Sequence, residues 1–175
     1  AADRLMSAEL RASEKDRAEN VMIVDVLRND LGKVCVPGSI EVPELFALEE
    51  YPSVFQMVST VTGRTRPGVE AVDLLRACFP GGSVTGAPKI RAMEIIDQLE
   101  PVKRGPYAGV VGYFDFSGNI DTAIAIRTMF VKDGLASVQA GAGIVADSTA
   151  ENEWQEIMNK SKAVFRAVEQ AAKGL

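Results

Sequence analysis

Histidine is absent from the 175-residue sequence, and only two cysteines occur. The lack of histidine excludes His-ligated zinc and Ser-His-Asp catalysis, so acid, base or metal-binding work must fall to carboxylates, lysine, tyrosine or glutamine. Cys35 and Cys78 lack the CxxC spacing of metal and redox sites. We therefore expect neither a disulfide framework nor a zinc centre, and this fits a reducing, cytoplasmic location.

The sequence also lacks any run of about 18 apolar residues that could cross a bilayer. Its first segment, AADRLMSAELRASEKD, is too charged for a signal peptide. The net charge of −5 and the pI near 4.9 argue against a nucleic-acid partner, which normally requires a basic surface. These absences predict a soluble intracellular protein that binds neither a membrane nor nucleic acid.

The residues that are present favour one α+β domain over residues 1–175, since 47% are hydrophobic and no linker or repeat is visible. Apolar spacing predicts helices over about 3–31, 69–77, 90–100 and 149–173. The segments SIEVPELFAL and VFQMVSTVTG predict two strands, and a three-stranded antiparallel meander is expected from Tyr107 onward. The polar residues inside VDVLRNDLGKV indicate a capping and packing network.

Two pairs of carboxylates stand at helical spacing, Asp16 with Glu19 and Glu153 with Glu156. Each pair lies on one helix face, and two such faces could hold a hard cation such as Mg²⁺. The alternative is that these are solvated surface acids, which are common among 24 Asp and Glu residues. Lys160 follows Glu156 at the spacing of an ordinary surface ion pair.

The glycine-rich segment PGGSVTGAPK opens a predicted helix, where N–H groups and the helix dipole favour anions. A nucleotide P-loop requires lysine directly after its second glycine, but Gly86 is followed by Ala87 and Pro88 before Lys89. The nucleotide interpretation therefore fails. Two alternatives stay open: a loop that binds a carboxylate or polar ligand, and a purely structural turn.

Arg127 lies within the apolar segment TAIAIRTMF, which predicts a buried strand. An unpaired guanidinium is costly to bury, so Arg127 requires an anionic partner. That partner could be a substrate carboxylate, bound through two hydrogen bonds, or an internal Asp or Glu. Tyr107 and the glycines of QAGAG lie nearby in the predicted meander and could add a hydroxyl and backbone N–H groups.

Four segments resemble the chorismate-binding enzyme family: RAENVMIVDVLRNDLGKV, FPGGSVTGAPKIRAMEIIDQLEP, DTAIAIRT and QAGAGIVADS. The resemblance covers nearly the whole chain and implies the C-terminal half of that family's α/β sandwich, an antiparallel sheet with flanking helices. It implies use of chorismate, Mg²⁺ as cofactor, and ammonia from a glutamine amidotransferase subunit or domain. The family's PIKGT or PIAGT motif would stand before residue 1, so the resemblance assigns no nucleophile.

The resemblance also implies a metal site. Glu19 and Glu156 are similar to the family's Mg²⁺ ligands, and Asp16 and Glu153 to the outer-shell acids beside them. Lys160 is similar to the lysine near these acids, which makes it a catalytic candidate.

A second set of residues resembles the family's substrate-binding groups. Tyr107 and Arg127 are similar to the residues that bind the enolpyruvyl carboxylate. Ser83, Gly141 and Gly143 are similar to those that meet the substrate through a hydroxyl or backbone N–H groups. All five are therefore expected to contact one ligand.

Within the family, the sequence looks more like the aminodeoxychorismate synthases than the anthranilate synthases. Gln56 stands where anthranilate synthases typically carry a histidine for the elimination step, and glutamine is not a general acid or base at neutral pH. The resemblance thus implies 4-amino-4-deoxychorismate as product, for p-aminobenzoate and folate synthesis. The alternatives are anthranilate formation and a catalytically incomplete fragment of either enzyme.

Overall fold

The computed structural model describes residues 2–52 and 54–174, and side chains from residue 5 onward within these ranges. The chain divides into two compact units, Ala1–Ile95 and Ile96–Leu175. Helices and antiparallel two-stranded sheets form them, which confirms the α+β class. Within the described ranges, no helix is long and apolar enough to cross a membrane.

The first unit combines helices with one long hairpin. Its elements are α1 (Ala2–Ala12), α2 (Glu14–Gly32), β1 (Glu41–Tyr51), β2 (Val54–Thr62), α3 (Ala71–Cys78), the short α4 (Gly82–Thr85) and the start of α5 (Lys89–Leu99). The continuous helix predicted from residue 3 to 31 is wrong, because Ser13 interrupts it. Ser13 adopts an extended conformation, and its hydroxyl oxygen accepts a hydrogen bond from the backbone N–H of Asp16, which caps α2.

A buried carboxylate holds the C-terminal end of α2. Asp30 is fully buried and accepts hydrogen bonds from the ammonium groups of Lys33, at 2.8 Å, and Lys89. Lys89 also donates to the carbonyl oxygen of Cys78 at 3.1 Å. Two cations therefore compensate the burial of one anion, which would otherwise be strongly unfavourable. The predicted packing network is confirmed at this residue.

The second unit contains two hairpins and a long helix: β3 (Val110–Phe114) with β4 (Ile120–Ile124), β5 (Met129–Lys132) with β6 (Leu135–Val138), and α6 (Ala150–Ala172). The predicted three-stranded meander is wrong, since β4 and β5 are separate strands in separate sheets. Between them the backbone enters the left-handed region at Arg127, with φ of 53°. This interrupts the extended conformation and ends the predicted strand.

Helix α6 begins at Ala150, one residue later than predicted. The sequence offers Ser148 as a cap, but Thr149 accepts the capping hydrogen bond, from the N–H of Asn152. The apolar spacing of this helix predicts that Trp154 and Val168 point inward, but these residues are 64% and 41% exposed. Helical periodicity located the apolar face of α6 but could not show what covers it.

Asp115 organises the turn between β3 and β4. Its carboxylate accepts hydrogen bonds from the backbone N–H groups of Ser117 and Asn119, at 2.9 and 2.8 Å, and from both side chains. These bonds, the Asn119 side chain's first among them, lower the pKa of Asp115 from 3.8 to about 2. The ionised carboxylate is therefore the form that stabilises the turn.

This lowered pKa predicts a stability contribution that depends on pH. A group whose pKa is lower in the folded state stabilises the fold above its unfolded pKa, and the contribution is lost as pH falls through the folded value. We expect Asp115→Asn to be less stable than wild type at pH 6, and the difference to shrink as pH falls from about 4 towards 2. Urea unfolding across this range measures it; a difference of constant size would contradict it.

Candidate functional site

Four of the predicted site residues lie together in the second unit. Lys160 donates hydrogen bonds to the carbonyl oxygen of Gly141, at 3.2 Å, and to Oε1 of Glu156. The hydroxyl oxygen of Tyr107 lies 3.0 Å from the position that a Cβ on Gly141 would occupy. A side chain at this position would push the hydroxyl away by a few tenths of an ångström, so glycine favours the close approach. The cluster of Tyr107, Gly141, Lys160 and Glu156 offers a phenol, a carbonyl, an ammonium group and a carboxylate side by side.

Burial makes Tyr107 a weaker acid than a free tyrosine. Desolvation raises its pKa most, the charge of Glu100 adds to this, and the charges of Arg104 and Arg127 oppose it. The phenol therefore keeps its proton at neutral pH and can donate a hydrogen bond to an anion.

Arg127 differs from its prediction in burial. It was expected as a buried guanidinium in a strand, but it lies outside the strands and is exposed. An exposed guanidinium needs no internal counter-ion, so the argument that required a partner no longer applies. Its charge still lowers the pKa of Tyr107, so the electrostatic link between the two residues remains.

Two residues beside Tyr107 were missed in the sequence. Arg104 donates from Nε to both carboxylate oxygens of Glu100, at 3.1 and 2.9 Å, and from Nη2 to Oε1 at 2.6 Å. Its guanidinium carbon lies 5.7 Å from the centroid of the Tyr107 ring. These hydrogen bonds lower the pKa of Glu100 and raise that of Arg104. The available sequence signal was the Glu-to-Arg spacing of four residues just after α5.

The loop of residues 141–148 precedes α6 and is anchored to its first turns. Ser148 accepts a hydrogen bond from the N–H of Val145, at 3.0 Å, and donates one to Oε1 of Glu153, at 2.6 Å. Glu153 is only 6% exposed, and in this structure its carboxylate holds the loop through Ser148. Its role as an acid beside the Mg²⁺ ligands stays a prediction. Gly143 is exposed, and nothing lies within 4 Å of its Cβ position.

The predicted acids of the first unit lie in the first turns of α2. Glu19 forms an i,i+4 ion pair with Lys15, with an N···O distance of 4.0 Å. Asp16 lies in the first turn, where negative charge favours the helix dipole, and its backbone N–H bonds to the cap. Capping and surface pairing thus give these acids a structural role, and their metal role stays a prediction.

Gln56 and Ser83 are both exposed residues of the first unit. Gln56 lies on β2 opposite Glu49 of β1. Ser83 lies in α4, the short helix within the glycine-rich loop. Neither side chain lines either of the two main cavities in the described part of the chain. The catalytic role of Gln56 and the substrate-binding role of Ser83 therefore stay predictions.

A groove of about 840 Å³ in the first unit was not predicted. It runs along α2, is open to solvent, and is lined on its other side by Phe46 and residues 87–89. The guanidinium of Arg17 lies over the Phe46 ring, 4.8 Å from its centroid. Phe46 sits at a strand irregularity with φ of 60°, which reorients its side chain and which no sequence pattern indicated. Glu19, Gln56 and Ser83 do not line this groove.

The glycine-rich loop approaches helix α2 closely. Gly82 is buried, and a Cβ there would lie 2.8 Å from Cγ1 of Val26 on α2. The structural-turn alternative is therefore supported at this glycine. Lys89, at the end of the loop, is engaged by Asp30.

We expect Gly82→Ala to lower the free energy of unfolding by about 1–3 kcal/mol, because the added methyl group overpacks this contact. Val26→Ala makes room for the methyl group. The double variant should therefore be more stable than the sum of the two single losses implies. Urea denaturation of the four proteins measures this, and strictly additive losses would contradict the proposed contact.

The donor chemistry of the cluster fits Mg²⁺. Within the described parts of the chain, no three His, Cys, Asp or Glu side chains come together as a ready metal site. Mg²⁺ does not need one, since it is usually bound through one or two carboxylates with waters and substrate oxygens. Glu156 is 41% exposed and pairs with Lys160 through Oε1, which leaves Oε2 as an oxygen donor for such an ion.

Comparisons with protein families and with individual proteins indicate the same family for this chain. A family model described as "chorismate binding enzyme" matches residues 1–166. Aminodeoxychorismate synthase component 1 of Salmonella typhimurium is 54% identical over 168 residues, which cover 96% of this chain and 37% of the relative. Anthranilate synthase component 1 of Pseudomonas putida is also 54% identical, over 95% of this chain and 34% of the relative. The chain thus spans about a third of the length of these relatives.

Solved structures give the same result. The crystal structure of anthranilate synthase component I from Streptococcus pneumoniae TIGR4 superposes with a TM-score of 0.86 and 48% identity, over 92% of this chain and 37% of that one. The crystal structure described as a "putative 2,3-dihydroxybenzoate-specific isochorismate synthase" from Bacillus anthracis gives a TM-score of 0.84 at 28% identity, over 96% of this chain and 44% of that one. On the family match and these relatives, the chain belongs to the chorismate-binding enzyme family.

Proposed function

We propose that this chain supplies part of the active site of a Mg²⁺-dependent enzyme that aminates chorismate to 4-amino-4-deoxychorismate. The observation that carries the proposal is the cluster of Tyr107, Gly141, Lys160 and Glu156 in a chain of this family. Chorismate carries two carboxylates. A protonated phenol, an ammonium group and a metal-binding carboxylate are the groups that such a ligand requires.

The substrate-binding roles follow from position and charge. In the proposal, Tyr107 donates its phenolic proton to the enolpyruvyl carboxylate, and Arg127 binds the same group through its exposed guanidinium. Gly143 offers a backbone N–H in open space, and Gly141 leaves room for the substrate beside the phenol. Ser83 adds a hydroxyl from the glycine-rich loop.

Glu156 and Glu19 are the proposed Mg²⁺ ligands, with Glu153 and Asp16 as the acids beside them. When bound, the ion would neutralise the ring carboxylate of chorismate. Lys160 holds Glu156 in place, and its positive charge lies where a substrate anion would be stabilised. Glu19 belongs to the first unit and Glu156 to the second, and their sharing of one ion stays a prediction.

Gln56 favours the product that keeps its enolpyruvyl group. An amide side chain cannot transfer a proton at neutral pH, whereas pyruvate elimination requires proton transfer. The similarity to relatives does not separate the alternatives, because both kinds of synthase reach 54% identity. In the proposal, ammonia comes from a glutamine amidotransferase partner, and the reaction takes place in the cytoplasm.

Mass spectrometry shows whether the product keeps its enolpyruvyl group, and the NMR spectrum of the product shows which ring carbon carries the amino group. The chain, alone and joined to the preceding part of the Salmonella relative, is incubated with chorismate, Mg²⁺ and ammonium. An aminated product that retains the enolpyruvyl group supports the proposal, and anthranilate with pyruvate overturns it in favour of the alternative. Binding of chorismate without turnover by the chain alone, together with turnover by the joined protein, would identify the chain as a catalytically incomplete fragment.

A further inference from the structure

Tyr107 is held by a pair of charged residues that has no assigned role. Glu100 follows the last residue of α5, and Arg104 lies four residues further along, outside the helix. The Nε–H of Arg104 is shared between the two oxygens of the Glu100 carboxylate, and Nη2 donates to Oε1. Donation from two nitrogens of the guanidinium fixes its plane, which a single contact would leave free to rotate.

The oriented guanidinium contacts Tyr107 through the face of its ring. At 5.7 Å from the ring centroid, it lies within the range of a cation–π interaction. The other end of the same side chain, the hydroxyl, lies against Gly141, whose carbonyl accepts from Lys160. One continuous series of contacts therefore runs from Glu100 through Arg104 and Tyr107 to the cluster that includes Glu156.

We propose that Glu100 and Arg104 are positioning residues that set the Tyr107 hydroxyl against Gly141 for binding of a substrate carboxylate. The identity of the bound carboxylate rests on the proposed function. The contacts among Glu100, Arg104 and Tyr107 do not depend on that function. Both residues are partly buried, with side-chain exposures of 34% and 24%. An exposed surface pair of the same type would add little to stability and would not constrain a neighbour.

Turnover measurements separate a positioning role from a structural one. In the chimera described above, Arg104→Gln should raise KM for chorismate about tenfold with little change in kcat, because binding of the ground state and the transition state is weakened alike. Arg104→Lys keeps the charge and should recover part of the loss. With Tyr107→Phe present, Arg104→Gln should have little further effect, since the residue acts through the phenol. Additive losses would overturn the inference.

A second readout does not depend on chorismate. Tyrosinate absorbance is titrated in the 175-residue chain, and the Tyr107 component is obtained by difference from Tyr107→Phe. Glu100, Arg104 and Arg127 are the charges that act on this phenol. Arg104→Gln should move its ionisation to higher pH, and Glu100→Gln should move it to lower pH, because the two side chains carry opposite charges.

The matched control is Arg91→Gln. Arg91 donates to Glu94 at 2.8 Å in an exposed ion pair of α5, and it should change neither KM nor the titration. If Arg104→Gln leaves the phenol titration unchanged, the positioning inference fails even when the enzyme is active. If the titration shifts as expected but no form of the protein uses chorismate, the proposed function fails and the contact between Arg104 and Tyr107 stands.

Discussion

Glu156→Gln should abolish Mg²⁺-dependent turnover of chorismate and weaken Mg²⁺ binding by more than about 100-fold. Loss of an outer-shell partner typically costs 10- to 100-fold in metal affinity or activity, and loss of a direct ligand should cost more. Glutamine keeps the shape of the side chain and an oxygen that can accept from Lys160, so the local structure should survive. Calorimetric titration with Mg²⁺ and assays of the chimera measure the two effects.

The control for this variant is Glu151→Gln. Glu151 is an exposed acid in the first turn of the same helix and has no proposed ligand role. The Glu151→Gln variant should bind Mg²⁺ as wild type does, and its free energy of unfolding should change by no more than about 0.5 kcal/mol. Unchanged Mg²⁺ affinity in Glu156→Gln would remove this residue from the metal site. Glu19→Gln, measured in the same way, tests the proposed ligand of the first unit.

Asp30→Ala should be among the most destabilising substitutions in the first unit. It removes the carboxylate shared by Lys33 and Lys89 and leaves the Lys89 ammonium, only 14% exposed, without its anion. Breaking a buried pair in this way typically costs about 3–5 kcal/mol. We expect a loss of this size in the free energy of unfolding, measured by urea denaturation.

Two further variants test whether burial of the ion pair accounts for this loss of stability. Lys89→Met keeps the length of the side chain but leaves Asp30 with Lys33 alone, and it should also be destabilising. Asp25→Ala removes an exposed carboxylate from the same helix, where it pairs with Arg28 at 3.3 Å, and should cost less than about 1 kcal/mol. Equal losses in Asp25→Ala and Asp30→Ala would contradict the role assigned to burial.

Helices and hairpins were predictable where local chemistry alone determines them. Ile90, Met93 and Ile96 recur at helical spacing and indicate α5 in the sequence. The short polar segments SGN and KDG indicate the turns of the two hairpins. The interruption at Ser13 had a local signal as well. A serine three residues before an acid is a usual helix start, but the apolar spacing on either side suggested one helix.

Arg127 shows where local chemistry was insufficient. The segment TAIAIRTMF has the composition of one strand, yet it joins strands of two different sheets. Which strand pairs with which depends on contacts distant in the chain, and periodicity contains no information about them. The same applies to Trp154, whose apolar ring lies on an exposed face of α6.

The candidate site was predictable in part. Resemblance to a family identified Tyr107, Gly141, Lys160 and Glu156, and the structure brings these four together. Arg104 was not identified, because an Arg four residues after a Glu is common on protein surfaces. Only its position over the Tyr107 ring distinguishes it.

The loop of residues 141–148 contacts α6 at two points, through Ser148 on Glu153 and through Gly141 on Lys160. The two contact residues of α6 are separated by about two helical turns, or roughly 10 Å. The loop must span this fixed interval, so its tolerance for insertions and deletions should be low. The SGN turn spans no such interval. Its length is constrained by the hydrogen bonds of Asp115 to Ser117 and Asn119, so an insertion there should lower the stability of the hairpin and leave the contacts of the loop with α6 in place.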